Sequence, residues 1–446
     1  MNSLLDRLLF RKVDASGLAI FRILFGLVML WEMIYFMRID FVELFFGLPD
    51  VRFSYGGLSF LQPLPEGLMW ALIVLLTACC VLIVLGKWYR PAMLTFAIGF
   101  SYIFFLEKSY YNNHLYLICL LAFMLFFIRA DKALSLDAKG KTERDVPMWM
   151  YNLLKFQVVV VYFYGGLAKI NSDWLINLEP ARTLVEGTFL DGLLGLEFAT
   201  RFISYGGMLF DLSVGFLLLF RKTRLLGFLG AAFFNVSNAI IFNDINIFPY
   251  FMLGALILFA DPEWTKAQVE RFFPAKKVKG KKMKRKVVEK EMPRQRLLIV
   301  LGVYAAFQLL FPFRHWLIPG NVEWTGESQR FSWRMKIQHR ATEEMEFQVL
   351  NYDTKTIVPV NMDAYQLNRD QKVHMGIHPE MVWQFAQFLE ERAKKKLRAR
   401  KVGVNAKVKV AFNGRPAKYM IDPQTDLAEE DWKLMQHNEW ILPLED

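Results

Sequence analysis

Hydrophobic positions along this chain come in long blocks rather than in alternation. Before about residue 320, apolar runs of 15 to 20 residues recur between short polar segments, and beyond it no apolar run exceeds a few residues. A bilayer core about 30 Å thick needs roughly 20 mostly apolar residues per spanning helix. Nine stretches are candidates, centred near Leu27, Leu76, Ile98, Leu121, Val160, Gly215, Ala231, Leu253 and Ala305. The seventh and eighth are separated only by 243–246, which reads as a tight turn. The first reads as an uncleaved anchor, because no cleavage site flanks the run around Ala15 and Gly26. The pattern predicts a polytopic α-helical membrane part over 1–319.

From Gly320 onward the texture changes to period-two alternation and turns. The stretches 331–337, 345–350 and 408–412 read as half-buried strands, the last followed by an Asn413-Gly414 hairpin signal. Between them, 379–400 reads as an amphipathic helix with a basic end. A small extracytoplasmic domain over 320–446, α+β or β-sandwich-like, is expected.

Charge alters one part of this picture. The chain has 446 residues and a net charge of +11, which by itself suggests a nucleic acid partner. The stretch 262–297 carries 13 basic against 4 acidic residues, whereas 320–446 balances 19 against 19, so no nucleic-acid-binding module is implied. The stretch is read instead as a loop held against anionic headgroups. Other basic clusters occur at Arg7 to Lys12, at Lys87 and Arg90, from Arg129 to Arg144, and at Arg221 to Arg224. With nine spans all fall on one side, so the positive-inside rule puts the N-terminus in the cytoplasm and 320–446 outside. Cys79, Cys80 and Cys119 lie within apolar runs as small hydrophobes, supporting neither a disulfide framework nor a zinc site.

Ionisable residues in apolar spans are costly and mark candidate sites. Arg22, Glu32, Lys155, Asp211, Lys169, His114 and His315 qualify. Arg22 and Asp211 also fit pairing across helices, and Lys155 fits snorkelling. Lys169 ends a long apolar run that contains Tyr164, and Gly165 and Gly166 allow another backbone or a flat ligand to come close. Desolvation there disfavours charge and favours a neutral amine able to act as a base, although a helix-end lysine also reaches the headgroups readily. Asn112, Asn113 and His114 open the fourth span, where amide and imidazole groups suit a developing oxyanion or, equally, a helix cap. Of the histidines, only His374 and His378 have i, i+4 spacing, and no third ligand is near. No metal is expected.

Taken in order, several motifs resemble the vitamin K-dependent gamma-glutamyl carboxylases and their bacterial HTTM-domain relatives. They are Leu18 to Leu27, Asn112-Asn113-His114, the Gly-x-x-Lys-x-x-x-Asp-Trp stretch ending at Trp174, the run from Asp211, Trp324-Thr325, Phe331 to Met335, and Asp422-Pro423. The resemblance covers nearly the whole chain. It implies that vitamin K hydroquinone is deprotonated and reacts with O2, giving the epoxide and a base strong enough to remove a gamma proton from peptide glutamate, which then takes up CO2. By position, Lys169 is the implied initiating base, with Asn113 and His114 catalytic beside the hydroquinone. Asn112, Tyr164, Gly165, Gly166 and His315 would line its site. Phe331, Trp333, Met335 and His378 would approach the glutamyl substrate. The implied partners are the lipid bilayer, a membrane quinol and a glutamate-containing peptide or protein, and the expected location is a bacterial inner membrane.

The chain departs from the family at several points. Tyr111 stands where animal enzymes have Trp, Asn235 where His is frequent, and Gln338 in place of a His. The cysteine pair and the long C-terminal extension of animal enzymes have no counterpart. Quinol epoxidation without glutamate carboxylation is therefore an alternative, and a non-catalytic scaffold or transporter is another. Joint retention of Lys169, Asn113 and His114 weighs against the scaffold, and the lack of internal repeats weighs against a transporter.

Overall fold

The computed structural model describes residues 3–139, 143–241, 246–273 and 292–444. Among them, five helices are long and apolar enough to cross a membrane: Ser16–Arg38, Glu66–Leu85, Tyr89–Leu106, Leu196–Leu219 and Arg294–Leu317. Asn113–Phe127, Arg224–Ile240 and Phe248–Phe259 are apolar but shorter. The helix expected around Val160 runs Trp149–Ala168, and Asn152, Lys155 and Gln157 interrupt its apolar run. All nine expected segments are thus helical, but five reach spanning length and apolarity. The turn expected at 243–246 lies almost wholly outside the described residues, as does 274–291 of the basic stretch.

Helix boundaries follow local chemistry. Glu66–Leu85 stops at Gly86, whose φ of +62° suits glycine, and the Lys87 amide closes the turn on Leu82 O at 3.0 Å. Over that turn lies buried Arg22, whose guanidinium donates to Leu134 O at 2.5 Å. Arg22 is therefore a structural brace, and it does not pair with Asp211. At the same end, Lys12–Asp14 forms an antiparallel ribbon with Asp145–Pro147. The Tyr151 hydroxyl donates to Asp14 O at 2.8 Å and accepts from the Leu18 amide at 3.2 Å, locking the first helix to Trp149–Ala168.

The C-terminal part holds a four-stranded antiparallel sheet in the order Thr356–Pro359, Arg340–Asn351, Val402–Phe412, Arg415–Tyr419. Val402–Phe412 alternates buried and half-buried positions, and its buried side meets the helix Pro379–Leu397. One sheet with helices against it is α+β; no second sheet facing it occurs among the described residues, so the sandwich alternative is not what forms. The Asn413-Gly414 turn has φ of +46° and +74°, the geometry a tight hairpin requires.

The strand expected at 331–337 is absent. Phe331, Trp333 and Lys336 all have positive φ, at +63°, +58° and +50°, which no extended strand allows. The alternation there has another cause: Phe331 and Trp333 both turn into the helical bundle. Trp333 is fully buried in the bundle's core, stacked on Tyr116 at 4.9 Å, and Phe331 packs edge-on against Tyr116 and Tyr111. The exchange runs both ways, since Val51 and Phe53 pack in the C-terminal core with Trp324, Phe347 and Phe385.

Candidate functional site

Lys169 caps the end of Trp149–Ala168, and its Nζ is buried. It donates to Asp211 Oδ2 at 2.5 Å and to Gly165 O at 3.2 Å, with the Trp174 ring 5.4 Å away. The two helices meet because Gly166 has no side chain: a Cβ there would sit 2.7 Å from the Leu212 amide nitrogen. Gly165 does similar work for a side chain, since its Cβ would lie 3.2 Å from Met335 Cε and 3.6 Å from Asp211 Oδ2. The amine is thus not alone in apolar surroundings, as the sequence suggested. It is held against a buried carboxylate on the neighbouring helix.

Beside this pair opens a cavity of about 630 Å³, lined by Tyr164 and Ala168 on one side and by His315, Glu323, Ser332 and Arg334 on the other. The Tyr164 hydroxyl donates to Leu309 O at 2.5 Å, which ties the Lys169 helix to the last one. His315 Nδ1 lies 2.8 Å from Pro312 O and its Nε2 3.2 Å from Arg334 Nη1. This geometry assigns the proton to Nδ1 and leaves Nε2 to accept from the guanidinium. Arg334 also pairs with Glu323, and burial lowers it to about 10.

Asn113 reaches this wall from behind. Its Oδ1 accepts from the Tyr111 hydroxyl at 2.9 Å, and its Nδ2 donates to Arg334 O at 3.4 Å. Tyr111 Oη in turn accepts the Phe331 amide at 2.6 Å. The amide thereby holds the 331–335 loop against the bundle.

Two family models match the chain. Residues 10–264 match the HTTM domain. Residues 293–446 match the vitamin K-dependent gamma-carboxylase lumenal domain. The chain belongs to the vitamin K-dependent gamma-carboxylase family. No solved structure matches it.

In this member of a family of membrane carboxylases, Tyr164 and His315 line the cavity, Lys169, Gly165, Gly166 and Met335 meet around Asp211 beside it, and Asn113 supports its wall. Phe331 and Trp333 anchor the loop and do not line the cavity. Asn112 holds the N-cap position of Asn113–Phe127 without a side-chain cap bond and is exposed. His114 is half-buried, its ring 6.0 Å from Phe248.

His378 belongs to a different cluster. It stacks on His374 at 5.7 Å, near Arg330, Arg340 and Lys108, and burial with those cations pushes its ring well below the usual histidine range. Lys108 pairs with Glu380, which Arg330 also contacts at 3.0 Å, and burial lowers the ammonium to about 8. This cluster fastens the C-terminal part to the turn before Asn112.

Two residues of the site were not singled out from the sequence. Arg334 stands inside the Ser-Trp-Arg-Met motif but reads there as one charge in a strand. Glu323 lies in the one-turn helix Val322–Thr325, too short to leave a periodic signal. The Asp173 of the lysine motif serves the fold, since its carboxylate takes both Arg415 nitrogens at 3.0 and 2.7 Å and the Asn413 amide at 2.9 Å.

Proposed function

We propose that this protein uses vitamin K hydroquinone, O2 and CO2 to convert peptide glutamate to gamma-carboxyglutamate, releasing the vitamin K epoxide, in the cavity beside Lys169. The buried Lys169–Asp211 pair, whose chain neighbours Ala168 and Ile170 line the cavity, is the observation that carries this reading. Lys169 Nζ accepts the hydroquinone hydroxyl proton when the pair's own proton rests on Asp211. Apolar walls from Leu167, Ile170, Phe313 and Trp316 suit a ring delivered from the bilayer and exclude water from the site. Met335 packs over Gly165, and His315, held by Pro312 O and Arg334, sets a wall of the cavity. Asn113 and His114 open the helix Asn113–Phe127, and Asn113 meets the cavity wall at Arg334 O. The glutamyl substrate enters on the side of the 331–335 loop, where Arg334 offers a cation to a carboxylate. In this reading the N-terminus is cytoplasmic and the cavity faces outward.

The test is incubation of purified protein with reduced vitamin K, O2, isotopically labelled bicarbonate and a glutamate-containing peptide. Epoxide together with label in the peptide is expected. Epoxide alone would identify a quinol epoxidase without carboxylation, and neither product from a folded sample would overturn both.

A further inference from the structure

Helix direction places a second cavity at the far end of the bundle. Trp149–Ala168 runs from Lys155 to Lys169, and the antiparallel Gly207–Leu219 runs from Asp211 back to Arg221, so Arg221 and Arg224 lie opposite the Lys169 site. There a groove of about 1,060 Å³ is walled by Ile20, Leu24, Phe228, Leu253 and Ile257, with Gly254 in its floor. Leu225 and Trp264 stand at its rim, 70% and 55% exposed, so it opens outward to the surroundings of the bundle.

Its charge is concentrated at one end. Arg221 and Arg224 line that end with Asp261 and Glu263, yet among the described residues neither arginine forms an ion pair. Arg224 gives only its Nε, to Leu218 O at 3.2 Å. Asp261 is engaged elsewhere, accepting the Glu263 amide at 3.0 Å, and both acids sit at the N-terminus of Pro262–Phe272, where the helix dipole offsets them. Behind the wall, Lys155 is buried against the rings of Tyr151 and Phe259, with Arg224, Asp261 and Arg11 the charged groups acting on it.

An apolar groove that opens to a bilayer and ends in two guanidiniums without carboxylate partners matches one chemistry. We infer that it holds an anionic phospholipid, its acyl chain along Leu24, Phe228 and Leu253 and its phosphate between Arg221 and Arg224. A small soluble anion has no use for the apolar wall, and a neutral quinone leaves both arginines unanswered. The exposed indole of Trp264 at the rim suits headgroup depth. The site is independent of the carboxylase chemistry at the other end.

Native mass spectrometry of delipidated full-length protein, titrated with dioleoyl-phosphatidylglycerol or dioleoyl-phosphatidylcholine, tests this. One phosphatidylglycerol should bind about thirtyfold more tightly than phosphatidylcholine, roughly fivefold from each arginine. Arg221→Gln/Arg224→Gln should abolish the preference, while Lys222→Gln, on the adjacent exposed surface, should keep it. Gly254→Leu, whose Cβ meets Leu24 only at ordinary contact distance, should fill the groove and weaken phosphatidylglycerol binding with both arginines intact. Equal affinities in the wild type, a preference that survives the double substitution, loss of the preference in Lys222→Gln, or competitive displacement by phylloquinone would each overturn the inference.

Discussion

Lys169 Nζ and Asp211 Oδ2 lie 2.5 Å apart, and no other carboxylate approaches the amine among the described residues. Removing one partner leaves the other buried without its counter-charge, which costs about 3–5 kcal/mol. Lys169→Ala and Asp211→Ala should each abolish epoxide formation and lower the unfolding temperature. The Lys169→Ala/Asp211→Ala pair should be less destabilised than the sum of the two. Thermal unfolding across the double-mutant cycle reads the coupling; additive losses would mean that the two groups do not act as a pair. Small amines added to Lys169→Ala should restore part of the epoxide signal.

Gly166 is the point where two helices touch backbone to backbone. Gly166→Ala should therefore reduce turnover and stability together, because the atom in the way is the Leu212 amide rather than a side-chain end. The same change at Gly165 meets the flexible tip of Met335 and should cost less. Comparing turnover and unfolding temperature of the two variants checks the ranking.

Tyr111 links Asn113 to the Phe331 amide by one hydroxyl. Tyr111→Phe strips two half-buried hydrogen bonds, about 1–3 kcal/mol, and should raise the KM for the glutamyl peptide more than for the hydroquinone. Trp333→Ala should go further, losing about 3–5 kcal/mol through the void left in the bundle. Limited proteolysis within 326–339 should report the released loop in both.

Burial alone would raise the Asp173 carboxyl, but hydrogen bonds from Arg415, Asn413 and Asn177 outweigh it and hold the group below the ordinary carboxylate range. A depressed value means stability that is complete above the unfolded value, about 3.9, and lost as pH falls through the folded one. The wild type should be more stable than Asp173→Asn at pH 7, and that advantage should shrink progressively below about pH 4, as the pH falls toward the folded value. An advantage that persists in acid would remove the carboxylate charge from the account. Thermal unfolding followed from pH 7 to pH 3 gives the answer.

The membrane part was legible because burial in lipid writes itself as long apolar runs, and Lys169 stood out because charge is expensive there. Its partner was legible only in part: Asp211 declared itself as an ionisable residue in an apolar helix, but 42 residues of sequence separate it from Lys169 and no spacing rule joins them. The loop at 331–337 misled because alternating apolar residues are the signature of a strand, and left-handed backbone at Phe331 and Trp333 yields the same alternation with both rings on one side. Arg334 and His315 became a unit only through a turn that periodicity cannot see.

The clamp between Asp173 and Arg415 joins residues 242 positions apart. A ribosome has finished the whole helical bundle, lysine and aspartate included, long before the arginine that completes this clamp is made. The 331–335 loop that walls the cavity also arrives late. Assembly is thereby scheduled: a half-made chain can hold the Lys169–Asp211 pair, but it lacks the side of the cavity that Ser332 and Arg334 supply and the fastening that Arg415 completes.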